Sequence, residues 1–198
     1  SEYCCCKPQQ YIDFSSNFIF DMAVTTSIVS LMLGLTIISC NDALKKNIGH
    51  YLRYLHSYQV NIIKITPSYF KTLLHEVKNN FIELPHLKTI ILGGENLLTV
   101  DCASWLKLYP KHNLLNEYGP TEATVGMAQY TISTDNVADL GTSVPIGKPG
   151  PTMSCYILNR DNHLVQPGET GELYIGGTCL ARGYLNQPEL NQERFVKN

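Results

Sequence analysis

VNIIKITPSYF, residues 60–70, reads as a strand that hands over directly to a helix. The β-branched, apolar run over 60–65 fits a buried strand, and Thr66-Pro67 opens a helix with proline in its first turn. The same alternation extends outward in both directions. Upstream, residues 11–20 read as a strand, 22–33 as a helix stopped by Gly34, and 35–39 as a second strand. A helix follows from about Ala43, with Asp42 as its expected cap and Leu44, Ile48, Tyr51, Leu52 and Leu55 as its apolar stripe. Downstream, residues 89–92 form a strand, 100–108 a helix and 113–115 a strand. Strands and helices alternating across short connections predict an α/β fold, a mainly parallel sheet flanked by helices and joined by right-handed crossovers.

Past about Asp139 the character changes. Pro and Gly punctuate short β-rich runs at 153–159 and 172–175, with turns between them. Residues 1–138 are therefore expected to form an α/β subdomain and residues 139–198 a small β-rich, barrel-like portion.

Composition narrows the function. A formal net charge of -2 with only 16% charged residues provides no basic field for a nucleic-acid backbone. Seven cysteines include adjacent Cys4, Cys5 and Cys6, with no C-x-x-C pair for zinc or disulfide exchange, and read as reduced thiols of a cytoplasmic protein. The uncharged run 22–40 is long enough to span a bilayer, but its Ser and Thr residues and central Gly34 favour a buried helix and a short strand over a membrane segment. The amino-terminal residues lack the order of a signal peptide. Both ends read as cut, so a fragment of a longer protein is expected.

In open parallel sheets ligands bind beyond the carboxyl ends of the strands. That rule selects Asp21, Lys64, Gly93-Gly94-Glu95 and NEYGPTE, Asn116 to Glu122, as one rim. Asp21 could equally cap the helix it precedes. Lys64 in an apolar strand must either reach solvent or meet an acid. Gly93 and Gly94 suit a tight turn or a close approach to a flat ligand. Tyr118 offers a face to a base, the Thr121 hydroxyl can donate to phosphate, and Glu122 is a hard oxygen ligand suited to Mg2+.

Three longer segments carry a family resemblance. FDMAV at 20–24 resembles an FDxS segment, NEYGPTE at 116–122 an NxYGPTE signature, and GELYIGGTCLARGYL at 171–185 a GELxIxGxxxARGYL segment. GGE at 93–95 also fits. In these motifs the chain resembles the middle of an adenylation domain of a nonribosomal peptide synthetase, within the adenylate-forming superfamily. Pro120 resembles the amino-acid-activating branch. The phosphate loop of the family and its ribose-binding and carboxy-terminal lysine motifs have no counterpart here.

The resemblance implies an ATP-dependent ligase that forms aminoacyl-AMP with Mg2+ and passes the acyl group to the phosphopantetheine thiol of a peptidyl carrier protein. It implies that Tyr118 and Gly119 bound the adenine site, that Asn116, Gly94 and Glu95 contribute to it, and that Thr121 meets the α-phosphate while Glu122 holds Mg2+. Asp21 would take the substrate ammonium. The side-chain pocket matched on these motifs is Asp21, Met22, Thr25, Lys64, Ile91, Gly93, Glu117, Val125 and Gly126. This resembles the asparagine-type pocket of the family, differing by Leu to Met and Leu to Ile. A carboxamide both accepts and donates, matching Lys64 and Glu117, whereas aspartate would set a second carboxylate against Glu117. Two alternatives stand beside this reading: an acyl- or aryl-acid ligase using coenzyme A, and a noncatalytic nucleotide-binding fragment.

Overall fold

The structure is a computed structural model that describes residues 9–196. The three adjacent cysteines lie outside the described residues. Seven strands form one sheet in the order β2 (Thr36–Ser39), β1 (Tyr11–Phe14), β3 (Ile62–Ile65), β4 (Thr89–Gly93), β5 (Asn113–Tyr118), β6 (Ala128–Ile132) and β7 (Lys148–Pro149). The first five are parallel, while β6 and β7 pair antiparallel. A separate antiparallel hairpin joins β8 (Met153–Leu158) to β9 (Glu172–Gly177). The expected mixed α/β class and mainly parallel sheet are therefore present. The large sheet draws β7 from beyond residue 139, so the two parts of the chain share a seam.

Side-chain alternation assigns the two faces. Ile63, Ile65, Ile90, Leu92 and Leu114 point into a large core beneath three helices, α4 (Ile48–Ser57), α5 (Pro67–Asn79) and α6 (Thr99–Leu108). Within it the fully buried Trp105 packs at tilted angles against Phe70, Tyr109 and His112. The opposite face buries only Ile12, Leu35, Ile62, Ile91 and Leu115 as its apolar cluster. It lies against α1 (Met22–Val24), a π-helical turn Thr25–Val29 and α2 (Ser30–Met32).

Several local expectations need correction. The first strand ends at Phe14 instead of residue 20, because Asp13 and Ser15 turn inward to hydrogen-bond partners. The helix after it is not buried all round: it buries small or polar Ala23, Thr26 and Ser30 and exposes Ile28, Leu31 and Met32. Its widened turn is closed by the Ser30 hydroxyl, which donates to the Thr25 carbonyl at 2.7 Å. Gly34 does stop it, at φ +70°.

The helix expected from Ala43 is two helices, α3 (Asp42–Lys46) and α4. Asn41 and Asn47, not Asp42, cap them by accepting the N–H groups of Leu44 and His50. Thr66 and Pro67 open α5 as expected. β5 runs on through Tyr118, so Asn116, Glu117 and Tyr118 are strand residues and the exit begins at Gly119. Near the carboxyl end Pro188–Arg194 forms a further helix, α7. Among the described residues no helix is long and apolar enough to cross a membrane.

Candidate functional site

The carboxyl ends of β1, β3, β4 and β5 converge as the strand-end rule requires. Because Lys64, Ile91, Gly93 and Glu117 share parity, all four face the thinly packed side of the sheet. Lys64 is 2% and Glu117 8% exposed, and the two form a direct ion pair across β4. Gly93, between them, adds no side chain on that face, and a Cβ there would lie 2.9 Å from the Glu117 carbonyl oxygen. Lys64 also donates to the Thr25 hydroxyl at 2.8 Å, which ties the helix to the pair. The acid expected for Lys64 is thus Glu117.

Beside this pair lies a cavity of about 160 Å³, bounded in part by Thr25, Ile91, Glu117, Val125 and Gly126. Gly126 is required for Glu117 to lie here, since a Cβ would come within 2.5 Å of its carboxyl carbon. Thr124 and Val125 both have positive φ, +56° and +73°, an uncommon conformation for β-branched residues. Asp21 and Met22 do not line this cavity. They border a neighbouring one of about 710 Å³ together with Gly94 and Glu95.

Asp21 stands at the N-cap position of α1 yet makes no capping bond. Its Oδ2 instead accepts from the Thr121 hydroxyl at 2.6 Å, joining two residues 100 positions apart. A third cavity, about 320 Å³, is bounded by Gly94, Glu95, Asn116, Tyr118 and Gly119 among others. Gly94 adopts φ +87°, so the turn needs glycine. The Asn116 amide is not free: it donates to the carbonyl of Pro145 at 2.9 Å and fastens the 144–146 loop. Glu95 likewise accepts the Ser68 N–H at 2.8 Å and the Ser68 hydroxyl, so its carboxylate serves the start of α5.

The AMP-binding enzyme family model matches residues 6–185. The chain belongs to that family. It is 33% identical over 184 residues to tyrocidine synthase 3 of Brevibacillus parabrevis, covering 92% of this chain and 3% of that protein. It is 34% identical over 187 residues to surfactin synthase subunit 2 of Bacillus subtilis (strain 168), covering 92% of this chain and 5% of that one. The chain therefore spans a small part of the relatives' length. Among solved structures, the Klebsiella oxytoca NpsA N-terminal subdomain in complex with 3-hydroxybenzoyl-AMSN superposes with a TM-score of 0.81 at 22% identity, covering 96% of this chain and 47% of that one. That likeness establishes that this chain shares the fold of the NpsA N-terminal subdomain.

In this AMP-binding domain Glu122 sits on a short 3₁₀ turn, Thr121–Ala123, just past Gly119-Pro120. Its Oε1 accepts the Tyr184 hydroxyl, and its backbone carbonyl accepts the Ala181 N–H at 2.7 Å. The Tyr184 bond, then its own backbone N–H, hold the Glu122 carboxyl below the usual carboxylate range. Among the described residues no group of three His, Cys, Asp or Glu is placed to hold a metal ion unaided. A single carboxylate is nonetheless what Mg2+ takes when substrate phosphates supply the remaining oxygens. The donor set fits a cation arriving with a nucleotide.

Two buried polar groups escaped the sequence reading. Asp13 is 1% exposed and accepts from the hydroxyls of Ser15, Tyr51 and Tyr54. Burial pushes its carboxyl up, opposed by those three bonds and by Lys45. His112 accepts the Trp105 indole N–H on Nδ1 at 3.3 Å, and its Nε2 lies 3.3 Å from the Leu84 carbonyl. Burial lowers its pKa to about 4. A tyrosine pair at helical spacing opposite an acid in a strand was the only available signal for the first; nothing local marked the second.

Proposed function

We propose that the full-length protein carrying this segment activates an amino acid with ATP, and that asparagine is its preferred substrate. The carboxylate attacks the α-phosphorus, a P–O bond forms, pyrophosphate leaves, and aminoacyl-AMP results. The acyl group then moves to the phosphopantetheine thiol of a carrier protein, releasing AMP. Bringing two anions together is mostly a matter of positioning and charge compensation. Mg2+, bound through Glu122, would offset phosphate charge. Tyr118 and Gly119 would border the adenine, Thr121 would meet the α-phosphate, and Asp21 would exchange its bond to Thr121 for the substrate ammonium. Residues 1–138 would carry these pockets and residues 139–198 would brace Glu122.

The observation carrying the substrate reading is the buried Lys64–Glu117 pair beside the 160 Å³ cavity. The pair is neutral as a unit, and Glu117, which lines the cavity while Lys64 stands behind it, offers an acceptor to a carboxamide N–H and disfavours a further negative charge. Glutamine is the nearest competitor, since one methylene discriminates by roughly 1–3 kcal/mol. An aryl-acid substrate, as in the complex of the NpsA subdomain, is the second reading. Asp21 argues against it, because that carboxylate would face no ammonium.

The test is ATP–pyrophosphate exchange by the full-length protein with asparagine, aspartate, glutamine and 3-hydroxybenzoate. Asparagine-dependent exchange is expected. Glu117→His should move preference toward aspartate, and an unchanged preference for asparagine would overturn the pocket assignment. Exchange with the aryl acid alone would transfer the reading to that substrate class.

A further inference from the structure

Glu122 is braced by a segment 62 positions further along the chain. The brace is itself tightly made. The Tyr184 N–H donates to Asn191 Oδ1 at 2.6 Å, and the Tyr184 carbonyl accepts from Asn191 Nδ2 at 2.8 Å, so one side-chain amide grips both backbone groups of that residue. The Tyr184 ring meets Phe195 edge-on, with centroids 5.6 Å apart. Gly183 has φ +127°, and a Cβ there would lie 2.6 Å from Asn191 Oδ1. Glycine is thus required for Asn191 to close on Tyr184.

We propose that Tyr184 is a positioning residue for cation binding: its hydroxyl fixes the Glu122 carboxylate through Oε1, leaving Oε2 to face the divalent cation of the nucleotide, with Asn191 and Phe195 fixing the tyrosine. The inference rests on the reading of Glu122 as the Mg2+ ligand. A carboxylate on a short turn otherwise rotates freely and must be ordered when the cation arrives. A hydrogen bond to its outer oxygen removes part of that cost, as partners behind metal ligands generally do. Among the described residues no other side chain bonds to this carboxylate; its remaining partner is its own backbone N–H, so Tyr184 supplies the side-chain contribution to its orientation.

The test uses the full-length protein, with Mn2+ as the probe, titrated in the presence of ATP and followed by its electron paramagnetic resonance signal. Tyr184→Phe should weaken Mn2+ binding by about tenfold. In pyrophosphate exchange it should raise the half-saturating Mg2+ concentration by a similar factor while leaving the KM for the amino acid unchanged. Asn191→Ala should act in the same direction and less strongly, and it decides the matter if Tyr184→Phe does not fold. Wild-type Mn2+ binding in Tyr184→Phe, alongside weakened binding in Glu122→Gln, would overturn the brace and leave the cation reading intact. Wild-type binding in Glu122→Gln would remove the cation reading itself. An equal rise in the amino-acid KM would mark general loosening and also overturn the proposal.

Discussion

On one face of the sheet Ile63, Ile65, Ile90, Leu92 and Leu114 pack beneath three helices around Trp105, whereas on the other Lys64 and Glu117 stand in those same strands beside a small cavity. Adjacent residues of β3 serve opposite ends: Ile63 and Ile65 fill the core and Lys64 leaves it. The stable face is close-packed, and its energy comes from apolar burial and dispersion. The other face has its polar groups satisfied by one another, at the cost of their desolvation. Stability and recognition are thus separated by one residue of register. The chain is expected to fold without the ion pair when both charges are removed together.

Trp105→Ala should show the first half of that contrast most strongly. It deletes a fully buried ring from the large core and is expected to cost about 3–5 kcal/mol in chemical denaturation. Lys64→Met tests the second half. Alone it strands Glu117 in a buried site, with an expected loss of about 3–5 kcal/mol. Combined with Glu117→Leu it should restore stability to near the original while abolishing amino-acid-dependent exchange. A double variant as unstable as the single one would mean that the pair contributes to stability after all.

His112 supplies a pH-dependent version on the core face. Its folded pKa, about 4, lies below its unfolded value of 6.5, so the folded state binds fewer protons between them. Stability should be fully present above pH 6.5 and fall as pH drops toward 4, by roughly 2–3 kcal/mol. His112→Gln should flatten that slope in denaturation curves recorded across the interval. The smallest effect is expected at the edge of the core: Asn47→Ala removes the cap of α4 and should cost about 1 kcal/mol, with substrate preference unchanged.

Much of the site could be read from the chain because the relevant information is local. The strand-end rule selects Asp21, Lys64, the Gly93-Gly94 turn and NEYGPTE as one rim, although Asn116 to Tyr118 belong to β5 itself. What could not be read depended mostly on a partner far along the chain. Asp21 is indistinguishable from a helix cap until Thr121 is brought to it. Asn116 and Glu95 read as ligand-facing residues and do border a cavity, but that Pro145 takes the Asn116 amide N–H and Ser68 one oxygen of Glu95 is not written in the local sequence. The choice of Asn41 over Asp42 as a cap turned on a single residue of helix phase.

The sequence by itself determined the alternating elements, the mainly parallel sheet and the motifs of an AMP-binding domain, because period, turn chemistry and helix signals act over a few residues. Only the tertiary structure decided that Lys64 meets Glu117, that Asp13 gathers three hydroxyls and that Tyr184 reaches back to Glu122. Apart from Ser15, which is two positions from Asp13, those pairings join residues tens of positions apart. A buried charge or carboxylate accepts whichever donor the packed helices and strands deliver, and local pattern carries no record of that delivery.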